Sequence, residues 1–169
     1  MDQVRENECC PPFKPEKWSE KSFKWNEKRF IKTWIPLFFH MPIPAMVAKK
    51  IVKLSAKAER ANALEEQRED ILLLFTHTNP FRSEIYLSVR SSVQSANNVK
   101  LSGNFISKVF EGPYKAIPKF MRQMEHYLSL QEEKAKRFFV HYAYCPKCVE
   151  RFGHNYMVIF AEIEDNTNG

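Results

Sequence analysis

Four cysteines fall in two pairs, Cys9-Cys10 and Cys145-Pro146-Lys147-Cys148. The second pair is a C-x-x-C knuckle, a spacing that offers two thiolates to one tetrahedral zinc. Redox chemistry of the thioredoxin kind uses the same spacing, but at the start of a helix that follows a strand of a parallel sheet. Here the pair lies between two predicted strands joined as a hairpin. In a reducing compartment four thiols favour metal over disulfides. The expectation is a closed structural zinc held by Cys9, Cys10, Cys145 and Cys148. Completion of the site by His154 or by a second chain, and free thiols, stay open as alternatives.

A second group is made of tyrosines and carboxylates. Strand alternation places Glu84, Tyr86 and Ser88 on one face of the segment 84–89, and Tyr156, Val158, Phe160 and Glu162 on one face of 155–163. Phe138, Val140, Tyr142 and Tyr144 share a face in 138–144. A cleft lined by such rings, with one or two partly desolvated glutamates, suits a flat, apolar, often cationic small molecule. The competing reading is that the tyrosines fill an ordinary core or sit on a wet face. Glu111 ends a predicted strand, just before Gly112-Pro113 and three residues from Tyr114, so the corner can project it towards a pocket mouth. It could equally be an acid that favours the dipole of the next helix. If the site is catalytic, a carboxylate acts on water as general base or acid, and a tyrosine hydroxyl donates to the developing oxyanion. The histidines His40, His77, His126, His141 and His154 have no ligand spacing with one another and read as satisfied or exposed. The sequence holds no Walker loop, Gly-x-Ser-x-Gly elbow, paired-histidine zinc motif or glycine-rich dinucleotide corner.

The elements that must position these residues follow one order twice. A β-branched and aromatic strand (32–39) runs into Met41-Pro42-Ile43-Pro44, and an amphipathic helix follows to about Glu66, with Val47, Ile51, Leu54, Ala58, Ala61 and Leu64 on its apolar side. Segments 71–77 and 84–90 form a hairpin about an Asn-Pro turn. Then come a strand at 103–111, the Gly-Pro-Tyr corner and a helix to about Lys134, marked by Ile117, Phe120, Met121, Met124 and Leu128. Strands at 137–144 and 155–163 complete the chain. The result is an internal pseudo-repeat of roughly 70 residues. The expected fold is α+β: two tandem β-α-β-β repeats (31–90 and 103–163) forming one curved antiparallel sheet with both helices on one face. Residues 1–30 are expected as an aromatic extension packed on a single domain spanning 31–169.

Composition bounds the classes. The chain has 169 residues, is 44% hydrophobic and 14% aromatic, and has only 4 glycines, which excludes wholesale disorder and collagen-like repeats. The net charge of +6 is spread along the chain with no polybasic run, so nucleic acid is not expected as a partner. No apolar run reaches the roughly 20 residues of a membrane span. The first ten residues carry no apolar signal region, so a cytoplasmic protein without a membrane partner is expected.

The segment Val109-Phe110-Glu111-Gly112-Pro113-Tyr114, set before an amphipathic helix within a doubled strand-helix-strand-strand unit, resembles the gyrase-inhibitor-like (GyrI-like) small-molecule-binding family over residues 30–163. The resemblance implies a shallow cleft that binds hydrophobic, frequently cationic compounds through aromatic residues and an acid. It also implies that some stand-alone members hydrolyse reactive cyclopropane-bearing aromatic toxins. Carried onto matching positions, it points to Glu111 and Tyr114, and less directly to Glu84, Tyr86 and Glu162. Three functions remain in play: a small-molecule binder, a hydrolase in the same cleft, and a non-catalytic partner-binding module.

Overall fold

The computed structural model describes residues 10–76 and 79–165. Its elements are β1 (Lys21–Phe38), β2 (Met41–Pro42), α1 (Pro44–Arg60), β3 (Leu73–Thr76), β4 (Arg82–Ser88), β5 (Asn97–Glu111), α2 (Ile117–Ser129), β6 (Ala135–Tyr142), α3 (Pro146–Phe152) and β7 (Tyr156–Ile163). Apart from the short β2 and α3, each half of the chain runs strand, helix, strand, strand.

The strands are ordered β2-β1-β4-β3-β6-β7-β5, all antiparallel, and β1 also pairs with β5. That last pairing closes the sheet into a six-stranded barrel, with β2 hung on the far end of β1. Closure is possible because β1 is 18 residues long and bent. Its register on β5 shifts between Trp25 and Lys28, where Glu27 adopts a φ of 53° and its amide donates to Ser102 Oγ at 2.8 Å. This bulge turns the first half of β1 along β5 while the second half runs along β4. A closed barrel leaves no long strand edge to attract another chain.

This differs from the expected open, curved sheet, and the reason lies in residues 21–30. They form the first half of β1, and the bulge interrupts the alternation that would have marked them as strand. Phe30, Phe105, Phe139 and Phe160 are fully buried inside the barrel, together with Tyr86, Leu72, Leu74 and Val158. Trp25 lies 4.1 Å from Phe105 between ring centroids, and Trp18 caps the stack at 5.7 Å from Phe160. The concave face is therefore a packed aromatic core rather than an empty cleft.

Both longer helices lie outside the barrel. Leu54 and Ala58 of α1 pack against Ile31, Ile35, Ile85 and Leu87, while Phe120, Met124 and Leu128 of α2 pack against Phe110, Val140, Met157 and Ile159. Both sets recur at steps of four, the spacing that builds one helix face. The helices end earlier than their periodicity suggests. In α1 the chain turns at Asn62, with a φ of 50°, and Ala63 N donates back to Ala58 O at 2.9 Å. The 145–154 connection, read as a plain hairpin link, contains α3, which ends at Gly153 with a φ of 71°.

Candidate functional site

Gly112 and Pro113 end β5, and a single helical turn, Tyr114–Ala116, leads into α2. Antiparallel pairing sets Glu111 opposite Tyr156, which brings the start of β7 to this corner. The corner is clamped by two bonds: Gly112 N donates to Asn155 O at 3.2 Å, and Asn155 Nδ2 donates to Gly112 O at 2.8 Å. The side chain of His154 then meets Glu111, Nδ1 to Oε1, at 2.5 Å. Both side chains are about half exposed, at 51% and 50%. The imidazole stacks on Tyr156, with centroids 5.3 Å apart and planes 15° from parallel. Asn155 Oδ1, in the same corner, is buried and meets no donor among the described residues.

Tyrosines continue the patch. Tyr114 sets its ring edge-on to Tyr142 at 5.6 Å, and Tyr142 does the same to Phe75 at 5.3 Å. Tyr144 stacks on Phe152 at 4.8 Å, lies 6.1 Å from Tyr156, and accepts a hydrogen bond from Phe13 N at 2.9 Å. Burial raises the Tyr142 hydroxyl above the ordinary phenol range, with Tyr114 adding to it. Tyr156 is raised by burial and then by the Glu111 charge. Tyr114 is raised by burial, then by Cys145 and Cys10.

Those thiols form a compact group. The Sγ atoms of Cys10, Cys145 and Cys148 all lie within 4.8 Å of one another, with Cys10 and Cys148 buried and Cys145 half-buried. Cys145 caps α3, Pro146 opens it, and the first turn aims Cys148 back at Cys145. Cys145 N donates to Cys10 Sγ at 3.3 Å, joining the segment before β1 to a knuckle 135 residues away. Burial is the largest cause raising the Cys10 thiol. Three convergent thiols at this separation could hold a metal ion. Cys9, the fourth expected ligand, lies outside the described residues.

The strand carboxylates sit elsewhere. Glu84 is bonded by Lys32 Nζ at 2.9 Å and by Tyr86 OH at 2.8 Å. Burial opposes its ionisation, but the Lys32 and Tyr86 hydrogen bonds prevail, and its carboxyl is held below the usual range. Burial and then Glu84 raise the Tyr86 hydroxyl. Glu162 pairs with Arg137 at 2.5 Å, and Phe160 is fully buried within the barrel. The expected residues thus fall into two places. Glu111, Tyr114, Tyr142, Tyr144 and Tyr156 gather with the thiols at the α2 corner, whereas Glu84, Tyr86, Phe160 and Glu162 belong to the barrel interior and its rim. Tyr142 lies on the helix-covered side, opposite to the face shared by Tyr86 and Phe160. His154, expected as a satisfied or exposed imidazole or as a residue completing the metal site, is the addition. Its partner Glu111 ends β5, His154 lies two residues before β7, and the register between those strands brings the two together.

A family model described as "Bacterial hydrolase" matches residues 1–163. The chain belongs to that family. Among curated proteins no sequence matches. Similar folds occur in a hydrolase from Listeria innocua (9% identity, 86% of this chain and 92% of that one, TM-score 0.60) and in an uncharacterized conserved protein from Listeria innocua (10%, 86% and 92%, 0.62). A further one is SAV2435, solved bound to tetraphenylphosphonium (14%, 87% and 94%, 0.52). At these identities the likeness is one of fold. No helix among the described residues is long and apolar enough to cross a membrane.

Proposed function

We propose that the chain binds a flat aromatic small molecule at the tyrosine corner and hydrolyses it, with the Glu111–His154 pair as general base. The observation that carries this reading is that pair: a carboxylate 2.5 Å from an imidazole, both half exposed, beside Tyr156 and the Gly112-Pro113-Tyr114 turn. Nδ1–H of His154 donates a hydrogen bond to Glu111, which fixes the tautomer and leaves Nε2 to take a proton from water. The water oxygen bonds to the electrophilic carbon, the bond to the leaving group breaks, and the imidazolium returns its proton to that group. Tyr114, 43% exposed, takes the role of donating a hydrogen bond from its hydroxyl to the oxygen on which charge develops. The GyrI-like resemblance and the doubled order of elements belong to the same proposal, as does a reactive aromatic, cyclopropane-type substrate.

A second reading, binding of a lipophilic cation without turnover, draws on the tetraphenylphosphonium carried by SAV2435. In this chain the strand carboxylates already face internal cations, Lys32 on Glu84 and Arg137 on Glu162. A cationic ligand on that side must displace one of them, which favours an uncharged aromatic substrate at the corner. Turnover of 4-nitrophenyl esters and of an activated aryl cyclopropane tests the choice. Stabilisation by tetraphenylphosphonium with no turnover of either probe would support the second reading.

Cys10, Cys145 and Cys148 are proposed as ligands of a structural zinc, with Cys9 as the fourth. The ion would tie the chain before β1 to the α3 knuckle, and the hydrolytic steps above run on the protein's own groups.

A further inference from the structure

The barrel end at the β1–β2 turn carries large exposed apolar side chains that no described residue covers. Phe38, Phe39, Met41 and Phe81 are 71%, 65%, 68% and 59% exposed, and Ile43 and Met46 continue the patch into α1. Phe39 contacts Phe38 and Phe81, with ring centroids 4.8 Å and 5.8 Å away, so the three rings form one projecting cluster. The two turn residues, Phe39 and His40, have φ values of 48° and 65°, a conformation that glycine or asparagine adopts more readily. The fold holds them there through His40 N to Pro80 O and Leu37 N to Phe81 O, both at 2.8 Å. A bulky aromatic is kept exposed at a strained position, which a solvent-facing turn does not require.

Beside this cluster lies a cationic surface. Met46, Lys50, Lys53 and Lys57 recur at steps of four, three and four, hence along one stripe of α1. The sequence from Lys28 to Ala58 contains no Asp or Glu. Lys32, Lys50, Lys53 and Lys57 line a cleft of about 100 Å³ with Thr33 and Asn97. Glu84 engages Lys32, whereas no carboxylate among the described residues pairs with the other three. Trp34, 45% exposed, bridges the two zones, with the Arg82 guanidinium 4.5 Å and the Lys50 ammonium 5.9 Å from its ring. An apolar tip alone would suit a protein partner, and lysines alone a soluble anion. Side by side, with an interfacial tryptophan between them, they match the two layers of a phospholipid surface.

We propose that this end of the barrel docks on an anionic phospholipid bilayer, with the Phe38-Phe39-Phe81 cluster entering the acyl boundary and the α1 lysines meeting headgroup phosphates. No spanning helix is needed. The test is co-sedimentation of the full chain with vesicles of equal phosphatidylcholine and phosphatidylglycerol, against pure phosphatidylcholine, with circular dichroism to confirm that each variant is folded. The wild type is expected to bind the anionic vesicles, release in 0.5 M salt, and show a blue shift in emission that Trp34→Phe removes. Lys50→Gln with Lys53→Gln is expected to lower partitioning by roughly 25-fold, about fivefold per charge. Phe38→Ser with Phe39→Asn is expected to abolish binding, and asparagine suits the turn's positive φ. Absence of anionic-vesicle binding, equal binding to pure phosphatidylcholine, or unchanged binding by the lysine variant would overturn the proposal. So would a dimer that the phenylalanine variant dissolves, or pyrophosphate binding in the cleft, if either came without vesicle binding.

Discussion

Glu111 and His154 owe their proximity to a register, and both side chains remain about half exposed. His141 illustrates the opposite case. Its ring is packed where β6 crosses β3, Leu73 N donates to Nδ1 at 3.2 Å, and burial pulls its pKa from 6.5 down to about 4. Between those values the unfolded chain binds more protons than the folded one, so stability is full above pH 6.5 and falls as pH drops towards 4. The loss between pH 7.5 and pH 5 should be about 2 kcal/mol. Denaturant titrations of wild type and His141→Gln at the two pH values should show this slope only in the wild type; equal slopes would rule His141 out as its source. At this scale the sequence leaves His141 as a satisfied or exposed imidazole, and Glu111 as either a residue projected by its corner or an acid favouring the next helix; the fold buries the first ring and leaves the second side chain half exposed. The Glu111–His154 pair was not legible, because the two positions are 43 residues apart and pairing register leaves no local trace.

At the scale of elements, the corner after β5 and the knuckle that opens α3 decide where the side chains of the proposed sites sit. A methyl group on Gly112 would lie 2.8 Å from Cζ of Phe120, which is itself buried and stacked on Phe110. Gly112→Ala should therefore cost about 1–3 kcal/mol and displace the Glu111 and Tyr114 side chains together. Unchanged stability, measured by denaturant titration, would show that α2 yields without strain. The knuckle makes a separate demand. The as-purified protein should carry one zinc by native mass spectrometry, and Cys148→Ser should lose it and lower the midpoint of thermal unfolding. A metal-free wild type whose melting is unaffected by Cys148→Ser would leave the three thiols as packing groups. The six longer strands and the two longer helices, and their order, were readable from hydrophobic period and proline placement, whereas α3 and the first half of β1 were not. Nor was the inward face of β6. Phe139 and His141 point into the barrel while Phe138, Val140 and Tyr142 point towards the helices, and a strand covered on both sides carries no polar face to reveal its sense.

For the whole molecule, barrel closure explains the division of the tyrosines and carboxylates into two sets. An open sheet would have left Tyr86, Phe160 and Glu162 around a concave cleft, as the strand pattern suggests. Instead β1 extends back to Lys21 and seals that face, and Trp25, Phe30, Phe105, Phe139 and Phe160 fill it with rings. The proposed catalytic residues lie outside, at the α2 corner, while the apolar and cationic end at the β1–β2 turn is a separate surface. The closure was hidden from the sequence by the Trp25–Lys28 bulge and by the length of chain between β1 and β5.

The central claim is that Glu111 and His154 act as a catalytic pair, and steady-state hydrolysis of 4-nitrophenyl esters and an activated aryl cyclopropane tests it most directly. Glu111→Gln and His154→Ala should each lower kcat by about 10²–10⁴ with KM changed only a few-fold, and added imidazole should partly restore the histidine variant. Wild-type rates in both variants, or no hydrolysis of either probe by the wild type, would contradict the account.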